Sequence, residues 1–286
     1  MGQGDAGRNL FTRALACLEA CDPAEKIAAI GALARDFAAG ELSIDNADEP
    51  VPIGTPGRPP RPRLVAPRDL PQRGLGTVEG RLALIHAVAH IEFNAINLAC
   101  DAVYRFRGMP RDYYADWLGV AADEARHFSL LAARLGELGC AYGDFDAHDG
   151  LWEMAVKTST SCLTRMALVP RVLEARGLDV TPAMIERVRG AGDACTVEIL
   201  ELILREEVAH VAAGSRWFAW CCAREGCDPE NTFFALLHEY ASGAPKGPFN
   251  TAARLAAGFS AAELARLERD QREPDRREPD RHGAVA

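Results

Sequence analysis

Glu124-Ala-Arg-His127 and its echo, Glu207-Val-Ala-His210, are the stretches whose reading decides the fold. On an α-helix, positions i and i+3 share a face, so each Glu-x-x-His aims a carboxylate and an imidazole at one point. That pairing grips a metal ion. Two such pairs on two helices, joined by a Glu from each of two more, make a di-metal carboxylate site inside a four-helix bundle. Four long helices are therefore what the rest of the chain has to supply.

Working outward, Thr77 caps a helix expected to run to about Arg107, with Ile85, Val88, Glu92, Ala95, Ile96, Ala99 and Val103 on one stripe. Glu92 is a carboxylate inside an apolar face. Gly108-Met-Pro110 ends that helix, and a second follows to about Leu138, its stripe formed by Trp117, Val120, Ala121, Glu124, His127, Phe128, Leu131 and Leu135. A third is expected from Leu151 to Arg176, kinked at Pro170 and stopped by Gly177 as its C′ residue. Thr181-Pro182 starts a further piece to about Arg189, Gly190-Ala-Gly192 turns the chain, and a fourth helix runs to about Arg224 with Ile199, Ile203, Glu207, His210, Gly214 and Trp217 aligned.

Ligands on antiparallel neighbours must reach one height, so each pair should be symmetric about its turn. Glu92 and Glu124 have their midpoint at Gly108, inside the predicted turn. Glu174 and Glu207 have theirs at Gly190 to Ala191. The second match requires the third helix to continue past Gly177 in the same direction. A reversal at Gly177 would separate Glu174 from Glu207 by tens of Å at ~1.5 Å per residue. The 50 residues from Glu124 to Glu174 leave room for a long crossover between the two hairpins.

A buried carboxylate loses several kcal/mol of hydration unless it is paired or bound to metal. The candidate ligands are Glu92, Glu124, His127, Glu174, Glu207 and His210. Two divalent ions among four carboxylates and two neutral imidazoles give a near-neutral cluster, with Glu124 and Glu207 suited to bridge and Glu92 and Glu174 to close the ends. Such donors favour iron or manganese over thiolate-seeking metals. Glu206 would fit a shifted register, yet only Glu207 reproduces Glu-x-x-His. His86 and His90 lie nearly opposite Glu92 in helical phase, which assigns them to a supporting or surface position, and Glu79 on their face is read as solvated. Arg126, Arg205 and Arg216 flank the ligands, to orient them or to form surface ion pairs.

Outside the four helices, Leu10 to Leu42 has helical spacing restarted at Asp22-Pro23, predicting two short helices. Residues 43–76 are rich in Pro, Gly and Arg, an extended connector whose Leu64, Val65 and Leu70 lay it along a surface. Beyond Gly226 come a helical stretch over Phe233 to Tyr240, a Gly/Pro segment over Ser242 to Phe249 and a helix near Ala261 to Leu267. Arg-Glu-Pro-Asp-Arg then repeats at 272–276 and 277–281, a charged tail read as disordered. The divisions are thus 1–42, 43–76, 77–225, 226–268 and 269–286.

The chain has 286 residues, 48% hydrophobic, 26% charged and only 7% aromatic, a composition that favours helix over strand. Its net charge of −9 argues against nucleic acid, whose phosphates require concentrated Lys and Arg. Nine cysteines, an odd number, and no secretory leader point to a reduced cytoplasmic compartment, with the thiols read as small buried apolar groups. No apolar run reaches the ~18 to 20 residues of a membrane span, and even Leu82 to Ile91 is interrupted by His86 and His90.

Five stretches carry a family resemblance. They are Arg73 to Arg81, His86 to Ile96, Asp123-Glu-Ala-Arg-His-Phe128, Met166 to Val180, and Pro248-Phe-Asn250 ahead of Ala252 to Phe259. On them the chain, from roughly Leu10 to Leu267, resembles the ferritin-like superfamily and within it the domain-of-unknown-function family four-fifty-five. The resemblance implies an all-α ferritin-like four-helix bundle with a long crossover and helical additions at both ends. All six ligand positions are filled. It also implies an oxygen-activating oxidase or hydroxylase using two iron ions, or iron with manganese, and dioxygen as co-substrate. Glu124 and Glu207 would then be catalytic, the substrate a small or carrier-bound organic molecule, and the partners an electron-donor protein and a second copy. Iron sequestration or peroxide defence is the alternative within the same superfamily.

Overall fold

The structure is a computed structural model describing residues 7–45, 49–240 and 245–272. Among the described residues it is all-helical, without a strand. Its centre is a helical hairpin, α3 (Val78–Arg105) and α4 (Arg111–Glu137), packed on a second one. In the second hairpin, α6 (Cys162–Leu168), a widened turn over Val169–Glu174 and α7 (Ala175–Gly190) form one rod antiparallel to α8 (Ala194–Glu225). The hairpins meet chiefly along α4 and α8.

The turns form where the sequence places them. Thr77 Oγ1 accepts the Gly80 N–H at 3.0 Å to open α3. Gly108 takes φ 67°, in the left-handed region that a side chain disfavours, and Tyr114 Oη clasps the same turn by donating to the Phe106 carbonyl and accepting from Met109 N–H. Asp193 caps α8 at the Thr196 N–H and also receives Arg134, so the end of α4 is pinned to the start of α8. The stripes expected on α3 and α4 are buried throughout, and that on α8 is buried apart from half-buried Ile199. By length and composition α3 is apolar enough to cross a membrane, contrary to the reading of its histidines as interruptions, and 72% of its most apolar window is buried within the fold.

The third rod departs most from expectation. It is broken at residues 158–161, between α5 (Gly150–Lys157) and α6, and passes unbroken through Gly177, Thr181 and Pro182. Pro182 lacks the N–H that would serve the Leu178 carbonyl, and Asn250 Nδ2 donates to that carbonyl instead at 3.2 Å. Asn250 N–H and the Arg254 guanidinium both bind Asp179, the latter in a fully buried ion pair at 2.7 Å. A segment seventy residues away thus carries the helix past its proline. At Val169–Glu174 the bonding widens to i→i+5, Ala175 N–H reaching the Pro170 carbonyl. The Pro170 ring lies where a side chain on Gly214 of α8 would be, its Cγ 2.2 Å from an ideal Cβ there. Gly214 therefore sets how closely the two rods approach.

At the N-terminus, α1 (Leu10–Glu19) and α2 (Pro23–Ala38) pack on α3 and α4, with Asp22 and Pro23 as cap and first-turn residue. Lys26 is fully buried and donates to the carbonyls of Cys17 and Leu18 and to Asn97 Oδ1, at 2.8 to 3.0 Å. The Pro-rich segment lies against the helices: Gly57 N–H bonds Leu18 O, Gly54 O receives Trp152 Nε1, and Val65 pairs with Ala147. Beyond Gly226, α9 (Pro229–Tyr240), α10 (Thr251–Ala256, which periodicity misses) and α11 (Ala261–Arg272) close on the second hairpin. Arg171 of the widened turn reaches Glu263 at 2.7 Å inside a cage of Phe218, Phe233 and Phe259. Residues 269–272, assigned to the charged tail, belong to α11. The rest of that tail and Ser242 to Ala244 lie outside the described residues.

Candidate metal centre

Where α3, α4 and α8 converge, one donor atom each from Glu92, Glu124, His127 and Glu207 lies within 4.8 Å of the others. Glu124 sits between two imidazoles. Its Oε2 is 3.4 Å from His127 Nδ1, and its Oε1 is 3.1 Å from His210 Nδ1. Glu92 Oε2 is 3.1 Å from His127 Nδ1, and Glu207 Oε1 is 3.2 Å from His210 Nδ1. The imidazole centroids are 5.8 Å apart. Each Glu-x-x-His thus closes as its spacing demands, and the two half-sites share Glu124.

Glu174 arrives from the end of the widened turn. Its Oε2 is buried and accepts no hydrogen bond, and the charges of Glu207, Glu124 and His210 all act on it. The continuous rod through Gly177 keeps Glu174 within electrostatic reach of Glu207, although neither Glu174 nor His210 belongs to the group of four donors within 4.8 Å.

The electrostatics describe a site built for cations. Burial and then repulsion from Glu124 raise Glu92 well above the ordinary carboxylate range. Burial, then Glu207 and Glu124, raise Glu174 in the same way, and burial with Glu124 raises Glu207. Burial also acts against ionised Glu124, but contacts to His127 and His210 outweigh it and lower that group. Burial opposes a charge on His127, yet Glu124 and Glu92 raise it to about 10. His210 is raised likewise, against burial, by Asp123, Glu124 and Glu207. Protons here do the work that a cation would do. Both oxygens of Glu124 are buried without a directed hydrogen bond, as is Glu174 Oε2, and a carboxylate–imidazole set of this kind suits iron or manganese. Glu92, Glu124, His127 and Glu207 could therefore hold a metal ion.

Around the ligands runs an outer layer that the sequence reading underuses. His127 Nε2 lies 2.6 Å from Glu206 Oε2, and His210 Nε2 lies 3.3 Å from Asp123 Oδ2. Each histidine is thus oriented by the acid that precedes the glutamate of the other motif. Arg126 joins the two acids, 2.9 Å from Asp123 and 2.6 Å from Glu206. The signal was present in the chain, since an acidic residue precedes both Glu-x-x-His motifs. Of the other flanking arginines, Arg216 pairs with Asp116 and Arg205 bonds the Glu201 carbonyl.

His86 and His90 are opposite the site, as phase requires, but buried. His86 Nε2 accepts Gly143 N–H at 2.9 Å, and His90 Nδ1 meets Tyr142 Oη at 2.9 Å. They hold the loop after α4, a role unlike either expected one. Glu79 is exposed, as expected, and pairs with Arg73. All nine cysteines are free; Cys21 and Cys195 are exposed, so the buried-thiol reading fails for those two.

The comparisons with known proteins show a family and name no activity. A family model described as a protein of unknown function (DUF455) matches residues 19–265. An uncharacterized protein of Haemophilus influenzae (strain ATCC 51907 / DSM 11121 / KW20 / Rd) is 48% identical over 213 residues, covering 72% of this chain and 74% of its own length. No solved structure matches. The match spans both Glu-x-x-His motifs and every residue of the candidate centre, and the chain belongs to the DUF455 family.

Proposed function

We propose that this chain is a ferritin-like di-iron, or iron–manganese, oxidoreductase that uses dioxygen to oxidise or hydroxylate a small or carrier-bound organic substrate. The observation that carries the reading is Glu124 set between the imidazoles of two Glu-x-x-His motifs, with a further carboxylate at each end. In this reading His127, Glu92 and Glu124 hold one ion, and His210, Glu207, Glu174 and Glu124 hold the other. Bound there, two iron ions would supply the electrons that reduce dioxygen. Asp123 and Glu206 fix the imidazole rings and raise their basicity, and Arg126 offsets the negative charge of that layer. Burial of Glu92, Glu124, His127 and His210 keeps bulk water from the reacting centre. Oxygenation consumes electrons from outside, so an electron-donor protein belongs to the same reading.

Anaerobic titration with ferrous iron, followed by oxygen, tests it. Binding should saturate at about two ions per chain, with oxygen uptake in proportion to the bound iron. Continued uptake to hundreds of ions per assembly would replace this reading with iron storage, and absence of iron binding would overturn both.

A further inference from the structure

Away from the metal centre, two thiols meet at the edge of a surface cavity of about 490 Å³. Cys162 is the first residue of α6 and is partly exposed, whereas Cys221 is buried on α8. Their meeting follows from the packing of the rods. Pro170 lies against Gly214; Cys162 stands eight residues before the one and Cys221 seven after the other, so the antiparallel register brings them level. Glu207, Gly214 and Cys221 are spaced by seven, which keeps them on one face of α8. Cys162 and Cys221 line the same cavity and act on each other electrostatically, and Cys162 Sγ donates to Tyr113 Oη at 3.8 Å.

The two groups are chemically unequal. The Arg165 guanidinium acts on Cys162. The acidity of Cys162 is strengthened first by Cys221 and, against burial, by Tyr113 and Arg165. Cys221 is raised by Cys162 and by burial. Cys162 is also the thiol that solvent reaches, whereas Cys221 is buried beside it. Arg105 and Arg224 line the cavity together with Glu49 and Glu225, and Glu225 opposes ionisation of Cys162.

We propose that Cys162 and Cys221 are a hydroperoxide-reactive dithiol, a site independent of the metal centre, which closes to a disulfide between α6 and α8. The Cys162 thiolate attacks a peroxide oxygen; the S–O bond forms as the O–O bond breaks, and the leaving oxygen takes a proton from water. Cys221 then attacks the sulfenic sulfur, forming S–S as S–O breaks, and the departing hydroxide takes the Cys221 proton to give water. Two electrons pass from the thiols to the peroxide.

Peptide mapping of the full chain under non-reducing conditions, after stoichiometric hydrogen peroxide and N-ethylmaleimide quenching, tests this. A Cys162–Cys221 cross-link, with loss of maleimide labelling at both positions and its return after dithiothreitol, is the expected result. In Cys221→Ser, dimedone should trap a sulfenic acid at Cys162, while Cys162→Ser should give no oxidised species at Cys221. Oxidation that falls instead on exposed Cys21 or Cys195, or on the neighbouring Cys222 and Cys227, with Cys162 still fully labelled in the unaltered chain, would overturn the proposal.

Discussion

Glu124 Oε1 faces His210 Nδ1 at 3.1 Å across the seam between α4 and α8, so a carboxylate of the first hairpin completes the half-site of the second. Neither half-site is whole without it. Glu124→Ala should therefore abolish binding at both metal positions together, whereas Glu92→Ala, which removes an end residue, should leave about one ion per chain. Metal analysis after desalting, with circular dichroism to confirm retained helix, checks this. Two ions retained by Glu124→Ala would refute the shared-ligand arrangement.

The outer acids make a separate claim. Asp123→Asn and Glu206→Gln leave all six candidate ligands in place but remove the charge that orients the imidazoles. Metal affinity should fall about 10- to 100-fold with unchanged stoichiometry. Arg126→Ala, which releases both acids, should lie in the same range. Competition against a chelator of known affinity measures it, and undiminished affinity in all three variants would assign these contacts to the surface alone.

Two glycines on neighbouring helices should respond in opposite directions to the same change. In Gly214→Ala the new Cβ meets Pro170 Cγ at 2.2 Å, so the rods must separate, at ~1–3 kcal/mol of stability. Gly119 on α4 is exposed with nothing within 4 Å of a Cβ, and Gly119→Ala should add ~0.5–1 kcal/mol by helix propensity. Urea unfolding of both variants reads the signs, and equal midpoints would remove the close approach as an explanation.

Acid should expose the histidine that holds the loop. Burial, and then His90, lower His86 to about 4, with a smaller opposing effect of Asp144. Folded protein thus keeps it neutral where the unfolded chain, near 6.5, takes up a proton. The unfolded state binds more protons between those values, so stability is lost as pH falls from about 6.5 to about 4. His86→Gln should flatten the unfolding free energy across that window by up to one proton. An unchanged pH slope would show that His86 does not titrate with folding.

The two hairpins and the clustering of Glu92, Glu124, His127 and Glu207 were legible because each depends on local spacing: capped helices, glycine turns midway between paired glutamates, and i, i+3 pairs. What escaped reading depends on distant partners. Gly177 and Pro182 carry every local sign of a helix end, and the end is averted by Asn250 and Arg254, which treat Leu178 and Asp179 as their own partners. His86 and His90 were placed on the correct side, but periodicity gives no notice that residues 142–148 fold over that side. Asp123 was given no role and Glu206 only that of a substitute for Glu207, because the bond each makes crosses to the other helix.

The widened turn at Val169–Glu174 has a last consequence, for how such a helix tolerates change in length. A turn of this type amounts to one residue more than an ordinary helix would use, and every side chain beyond it is rotated by ~100° relative to those before. Arg165, upstream, addresses Asp101 on α3; Glu174, at its downstream edge, addresses Glu124, Glu207 and His210. Removing a single residue between them would leave helix, composition and ligands intact while turning Glu174 away from the others. The centre thus depends on a count as well as on its chemistry, and a deletion there would be silent to any search for the motif.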